Sequence, residues 1–294
     1  MKVKISLAIP AYNAEKFIRT VIASCLQQTE TPHEILLSDD GSSDQTPQIL
    51  REYAAQPLVR LVSPPQRLGI GSHYRHLVQQ ATGSHIVILS CDDALHPNFV
   101  KTALKGLQQQ PELGMLIFSG YLCNAQMKPQ SRFGLGYPRH LLTPPMGFEH
   151  FLQSCTYLIS FTVWPVALLR SLPPLPDDAG LATDWYWALA VGSQSPIQFS
   201  RYPLGYYRYH DQNASHSDGD RWNKQAQTML EFIADDVSLS QEFRESLLIL
   251  QNSLKNRPLH TSSQNRLKSI QNFLKNSIQH FFANRFVGHP DFLK

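Results

Sequence analysis

Between Val3 and Ser90 the chain alternates strand-length apolar runs with helix-length amphipathic stretches at close intervals, and this alternation constrains the fold more than any other feature. Val3 to Ile9 reads as a buried strand, apolar at Val3, Ile5, Leu7 and Ile9 and rich in β-branched residues. The following helix is expected to take Asn13 as its cap, with Tyr12 and Phe17 at staple positions. Its apolar stripe holds Phe17, Ile18, Val21, Ile22, Cys25 and Leu26. Strands are then expected at Glu34–Ser38, Val59–Val62 and His85–Ser90, and helices at Thr46–Ala55 and Gly71–Ala81. Repeated βαβ units imply an α/β fold with parallel strands joined by right-handed crossovers. Ligands of such sheets gather at the carboxyl ends of the strands.

Composition agrees with an ordered, enzyme-sized chain: 294 residues, 42% hydrophobic and 17% charged, which excludes a mainly disordered or collagen-like molecule. The net charge of +3 is too small for wholesale nucleic-acid binding, and no nucleic-acid partner is expected. Lys255 to Lys294 contains seven Lys/Arg and one acidic residue, so the basic character belongs to the tail. Cys25, Cys91, Cys123 and Cys155 show no metal-binding spacing, and no secretory signal precedes the first apolar run, so a reducing cytosol is the expectation. The stretch between Glu149 and Arg170 lacks Asp, Glu, Lys and Arg, but its Gln153, Ser154, Thr156, Ser160, Thr162 and Pro165 favour a buried core segment over a membrane span.

Gly69 and Gly71 begin a GxGxxG whose last position is Tyr74, and no Walker A, HExxH or GxSxG is present. The positive signal is a set of polar motifs, each at an expected strand end. Pro10-Ala11-Tyr12-Asn13 follows the first strand, Asp39-Asp40-Gly41-Ser42-Ser43-Asp44 the second, and Cys91-Asp92-Asp93 the fourth. An Asp-Asp pair after a buried strand suits Mg²⁺ or Mn²⁺, which is commonly held by one or two carboxylates together with substrate phosphates. The plainer alternatives are that Asp92 caps a turn, that Asp93 is solvated, and that Asp39 and Asp40 belong to turn chemistry with Asp44 as a helix cap.

The segments SLAIPAYNAEKFI, LLSDDGSSDQT, LGIG through ATGSHIVILSCDD, TDW and YRYH together resemble, in order over residues 3 to 215, the signature of family 2 glycosyltransferases. That resemblance implies a GT-A fold of the nucleotide-diphospho-sugar transferase type: a mainly parallel central sheet flanked by helices over residues 1–215, followed by an α-helical C-terminal extension over residues 216–294. It implies that Pro10, Ala11 and Tyr12 border the nucleotide, with Tyr12 stacking near the base, and that Asp40, beside Asp39, accepts from a uracil or thymine imide. Gly69 would let backbone approach the nucleotide, and Arg75 would reach the diphosphate or stand solvated. Asp92 and Asp93 match the region that places the metal and contacts the donor ribose, with Asp93 the preferred ligand. Asp184 matches the catalytic base, and otherwise caps its helix. His210 matches a histidine near metal or diphosphate, and otherwise is structural. The chain departs from the pattern at Ser90 and Thr183, where many relatives carry acidic residues.

The implied activity is inverting transfer from a UDP- or dTDP-sugar, with Mn²⁺ or Mg²⁺, to a hydroxyl of a glycan or lipid-linked acceptor in cell-surface polysaccharide biosynthesis. The rivals are a non-catalytic nucleotide-sugar-binding assembly partner of the same fold and a nucleotidyltransferase. Gln130–Pro145 reads as a long loop, Thr183–Val191 as a helix and Leu204–His210 as a strand. Past residue 215 the pattern is helical. Its last amphipathic helix, with Arg266, Lys268, Lys275 and Arg285 around an apolar stripe, suits packing on the catalytic domain or another subunit, or peripheral contact with the inner face of a membrane.

Overall fold

A computed structural model describes residues 2–153, 157–211 and 219–234 of the protein. The expectations for Cys155, for the boundary near residue 215 and for the helices beyond Ala234 lie outside the described residues.

The strands β1 (Ile5–Ala11), β2 (Glu34–Asp39), β3 (Val59–Leu61) and β4 (His85–Ile88) form the parallel part of one twisted sheet, in which β1 pairs with both β2 and β4. β1 is buried at every residue because helices cover both faces. Its Ile5, Leu7 and Ile9 enter one apolar cluster and Ala8 the other, as the two-residue period of a strand requires. Helices α1 (Ile18–Leu26), α2 (Thr46–Glu52) and α4 (Phe99–Gln109) pack on the first face. Ile18, Val21, Ile22 and Cys25 of α1 are buried at helical spacing, and each large aliphatic so covered contributes about 1.5–3 kcal/mol. The second face carries α3 (Ile70–Gln80), α5 (Met146–Gln153), α6 (Val166–Ser171), α7 (Thr183–Gly192) and α8 (Gly219–Ala234). Ala226, Met229, Leu230 and Ile233 seat α8 on that cluster.

The second half of the sheet is mixed. β8 (Thr162–Pro165) runs antiparallel between β4 and β6 (Met115–Cys123), β9 (Ile197–Arg208) is parallel to β6, and the short β5 (Ala94–Leu95) is antiparallel to β9. The order is β3-β2-β1-β4-β8-β6-β9-β5, with β7 (Pro129–Phe133) added antiparallel to β6. The expected loop from Gln130 therefore begins as a strand, and the strand expected from Leu204 begins at Ile197. The uncharged stretch after Glu149 is divided among α5, a 3-10 turn, β8 and α6, with Phe161, Val163 and Trp164 fully buried. Among the described residues no helix is long and apolar enough to cross a membrane. Strand order reverses between β1 and β4, so the crevice at their carboxyl ends is where a ligand site is expected.

Candidate active site

Two loops close one flank of that crevice by bonding to each other. Asn13 takes a left-handed φ of 49° and does not cap α1. Its Oδ1 accepts from Ser43 N, while the N–H groups of Asn13, Ala14 and Glu15 donate to Ser42, Thr46 and Asp44. The loop after β2 thus satisfies the chain entering α1, which explains why the helix begins only at Ile18. Asp39 accepts from Gly41 N, Ser42 N and the Ser42 hydroxyl. Asp40 is 4% exposed, and its two oxygens accept from Leu68 N at 2.7 Å and Gly69 N at 2.9 Å. Both carboxylates therefore hold loop backbone, with acceptor capacity left over, since an ionised carboxylate offers about four lone-pair sites.

Pro10 and Ala11 end β1, with the Ala11 carbonyl accepting from Asp40 N. Next to them the Tyr12 ring stands in the crevice, 42% exposed, with the Arg67 guanidinium 4.1 Å above its centroid. Gly69 adopts a φ of 80°, open to glycine and strained for other residues, and leads into α3. Beneath this flank His73 Nε2 meets the Ser38 hydroxyl at 2.7 Å, and burial pulls the His73 pKa down to about 4, so the ring is neutral.

The centre of the crevice is organised by Arg208, which is 5% exposed. Its Nε donates to the Asp92 carbonyl at 2.7 Å, its Nη1 to the Ala125 carbonyl at 2.6 Å, and its backbone N–H to Asp93 Oδ1 at 3.0 Å. The guanidinium lies 4.5 Å over the Phe17 ring, and the His210 ring packs 4.6 Å from the same phenyl. Asp93 is buried to 1%, with its other oxygen accepting from the Ser160 hydroxyl at 2.6 Å. Burial, and then the neighbouring Asp92 charge, push its pKa well above the ordinary carboxylate value. Asp92 instead turns its carboxylate to His210, with Oδ2 and Nε2 3.0 Å apart. Of the expected metal residues, the structure thus pairs Asp92 with His210 and places Asp93 inside, as a brace between β9 and the turn before β8. Among the described residues no group of three or more His, Cys, Asp and Glu is arranged around an ion position.

Asp184 stands in the first turn of α7, accepting at Oδ1 from Trp185 N, while its carbonyl accepts from the Tyr157 hydroxyl. It is partly exposed, and burial of its remaining surface raises its pKa from 3.8 to about 6. Thr183 beside it is buried and donates to the Gly180 carbonyl. Arg75 donates to the Leu172 carbonyl and lines a cleft with Gly69, Ser72, Thr183, Tyr186 and Gln225, whose lining includes neither Asp92 nor His210. Tyr74 is buried nearby, and its phenol pKa is raised by burial first, and then by the charges of Asp184, Cys91, Asp92 and Asp93. Arg67, Tyr74, Ser160 and Arg208 were not singled out as site residues in the sequence. For Arg208 a signal existed, since it precedes His210 by two and a strand points alternate residues the same way.

The chain matches the family model described as glycosyl transferase family 2 over residues 6–171. It is 35% identical over 154 residues to a chondroitin synthase of Escherichia coli, an alignment covering 50% of this chain and 22% of the synthase. The chain thus spans under a quarter of the length of the curated synthases it matches. Among solved structures it is similar to residues 1–349 of S. aureus TarS in complex with UDP-GlcNAc, with a TM-score of 0.66 at 19% identity, covering 94% of this chain and 81% of that one. It is also similar to a mannosyltransferase of Pyrobaculum calidifontis in complex with GDP-Man and Mn²⁺, with a TM-score of 0.61 at 17% identity, covering 98% of this chain and 77% of that one. The fold shared with both is GT-A.

Proposed function

The chain belongs to glycosyl transferase family 2, and from that premise we propose that it is an inverting glycosyltransferase. It moves a sugar from a UDP- or dTDP-sugar to a hydroxyl of a glycan or lipid-linked acceptor in polysaccharide biosynthesis. The observation that supports this reading is the short segment from Tyr157 to Ser160, whose Tyr157 hydroxyl donates to the Asp184 carbonyl and whose Ser160 hydroxyl donates to Asp93, the neighbour of the Asp92–His210 pair.

A general base works best with a pKa near the operating pH, and Asp184, raised to about 6, meets that condition. Its carboxylate takes the acceptor proton as the acceptor oxygen bonds to the anomeric carbon. The bond from that carbon to the diphosphate breaks on the opposite face, with the electron pair leaving on the phosphate, so the configuration inverts in one displacement. Asp92 and His210 offer one oxygen and one nitrogen ligand, which fits a divalent ion completed by diphosphate oxygens, and here Asp92 replaces Asp93 as the preferred ligand. Bound Mn²⁺ or Mg²⁺ would neutralise charge developing on the departing diphosphate. Pro10, Ala11, Tyr12, Asp39, Asp40 and Gly69 shape the nucleotide side, and Arg75 stands at the neighbouring cleft. The UDP-GlcNAc and GDP-Man complexes of the neighbours support a nucleotide-sugar donor in this crevice.

The test is titration calorimetry with UDP, dTDP and GDP, with and without Mn²⁺, alongside slow donor hydrolysis. Asp184→Asn should abolish hydrolysis and leave nucleotide affinity unchanged. Hydrolysis that survives the substitution removes Asp184 as the base, and nucleotide binding with no turnover on any donor favours a non-catalytic binding partner.

A further inference from the structure

We propose that the surface formed by β6, β7 and a bulge of β9 binds an acidic glycan, holding the non-reacting part of an acceptor chain. The proposal rests on the glycan-acceptor reading above and names the chemical class of that acceptor. β6 and β9 keep register from Met115 opposite Ile197 to Phe118 opposite Ser200, after which Ser119 stands opposite Pro203. Arg201 and Tyr202 are therefore extruded from the ladder, and bulges of this kind re-aim side chains. Tyr202 is 71% exposed, more than any other large hydrophobic side chain among the described residues.

Two arginines brace the bulge, and neither meets a carboxylate among the described residues. Arg201 donates through Nε and Nη2 to the Tyr137 carbonyl at 3.1 and 2.9 Å. The Arg132 side chain leaves β7, crosses β6 and donates through Nη2 to the Arg201 carbonyl at 2.7 Å. A carbonyl satisfies the hydrogen bond and leaves the positive charge uncancelled. Residues 113–148 and 185–210 contain no Asp or Glu, so β6, β7, β9 and the loop after β7 supply no counter-charge, while Lys128, Arg132 and Arg139 are exposed. Tyr121 of β6 stands opposite both Arg132 and Tyr206, so the three share a face. The rings of Tyr121 and Tyr206 stack at 5.7 Å and 18°, each half-buried. Two residues further along the same strands Cys123 stands opposite Arg208, which organises the crevice. Flat rings suit the C–H faces of sugars, and the guanidinium fork suits carboxylate, sulfate or phosphate substituents. A membrane is met by an apolar face of broad extent, whereas stacked rings set in a sheet beside an arginine suit a single chain laid across the strands.

The test titrates the full chain at low salt with a galacturonic acid hexamer and, as a neutral chain of equal length, maltohexaose, and titrates UDP separately into the same preparation. The wild type should prefer the acidic hexamer about tenfold. Arg132→Gln should lose that preference and keep its affinity for UDP. Tyr202→Ala, which removes no bracing side-chain contact, should also weaken the hexamer, so the outcome does not depend on an intact Arg132 brace. Equal affinity for the two hexamers overturns the proposal, as does an acidic-hexamer affinity unchanged in both variants. Substitutions that abolish flotation with phosphatidylglycerol vesicles and leave hexamer binding intact overturn it in favour of a membrane surface. Failure of the donor reading appears in the UDP titration of the wild type, a result read independently of the hexamer titrations.

Discussion

Replacing Asp184 by Asn should stabilise the protein at pH 8 while removing the proposed proton acceptor. The reasoning is a linkage argument: an acid whose folded pKa lies above its unfolded value is harder to ionise in the native state, so its charge opposes folding. The Asp184 pKa rises from 3.8 to about 6 through burial. At about 1.4 kcal/mol per unit, the ionised group costs the folded state up to about 3 kcal/mol. Solvent on its exposed side reduces this to about 2 kcal/mol. Asn keeps the shape and can still accept the Trp185 N–H at Oδ1. With about 2–4 °C per kcal/mol for a chain of this size, Asp184→Asn should melt about 4–8 °C higher at pH 8. As pH falls through about 6 the native aspartic acid protonates and the difference shrinks, disappearing below 3.8. Scanning calorimetry of both proteins between pH 8 and pH 4 is the assay. An unchanged or lower melting temperature at pH 8, or a gain that persists undiminished at pH 4, refutes the argument. In kinetics the same pKa should appear as an acidic limb, with kcat/KM rising as pH increases through about 6.

Glu34 has the opposite sign. Burial opposes its charge, but donors from Thr82, Ser6 and Arg60 outweigh that and lower its pKa from 4.5 to about 2. Glu34→Gln should therefore lose about 3 kcal/mol in urea titrations at pH 7, with the deficit shrinking as pH falls from 4.5 toward 2. A deficit independent of pH would show that packing rather than charge is responsible. Asp93→Ala should lower the melting temperature, because it leaves the Arg208 N–H without its buried acceptor whether or not the carboxyl is ionised, costing about 1–3 kcal/mol, whereas Asp92→Asn should keep the fold and weaken Mn²⁺-dependent nucleotide binding. The reverse pattern in calorimetry would restore Asp93 as the ligand. Gly71→Ala would set a Cβ 2.8 Å from the Gly180 Cα and 2.3 Å from Thr183 Oγ1, so α3 should separate from the segment leading to Asp184. A loss of about 1–3 kcal/mol in chemical denaturation is expected, and wild-type stability would show that the two segments are not tightly packed.

The parallel strands β1, β2 and β4 were legible because each buries both faces and reads as a largely continuous apolar run bounded by polar turns. The polar motifs at their carboxyl ends were legible for the complementary reason, that they interrupt those runs. β7 gave no such signal: its sequence, PQSRF, is exposed at four of five residues, so no apolar alternation marks it. Nor does any local pattern state that β8 runs against β4 while β9 runs with β6, because direction is decided by crossovers and not by composition. The same limit applied to Asp92 and Asp93. Adjacent residues in a turn point to different sides, and the sequence does not say which side is the core.

Arg208 shows why that distinction matters to the chemistry. A buried guanidinium is costly unless it is paired and hydrogen-bonded. Here it is held by carbonyls of Asp92 and Ala125 and covered by Phe17, while its own backbone N–H reaches Asp93. The turn after β4, the end of β9 and the segment entering α1 are thereby locked together, and His210 leaves β9 packed on the same phenyl as the guanidinium. Asp93 is then more useful inside than outside, because its brace fixes the backbone from which Asp92 and His210 project toward each other. An Asp-Asp pair in this setting sets one residue inside, where it holds the frame, and the other outside, where it pairs with His210.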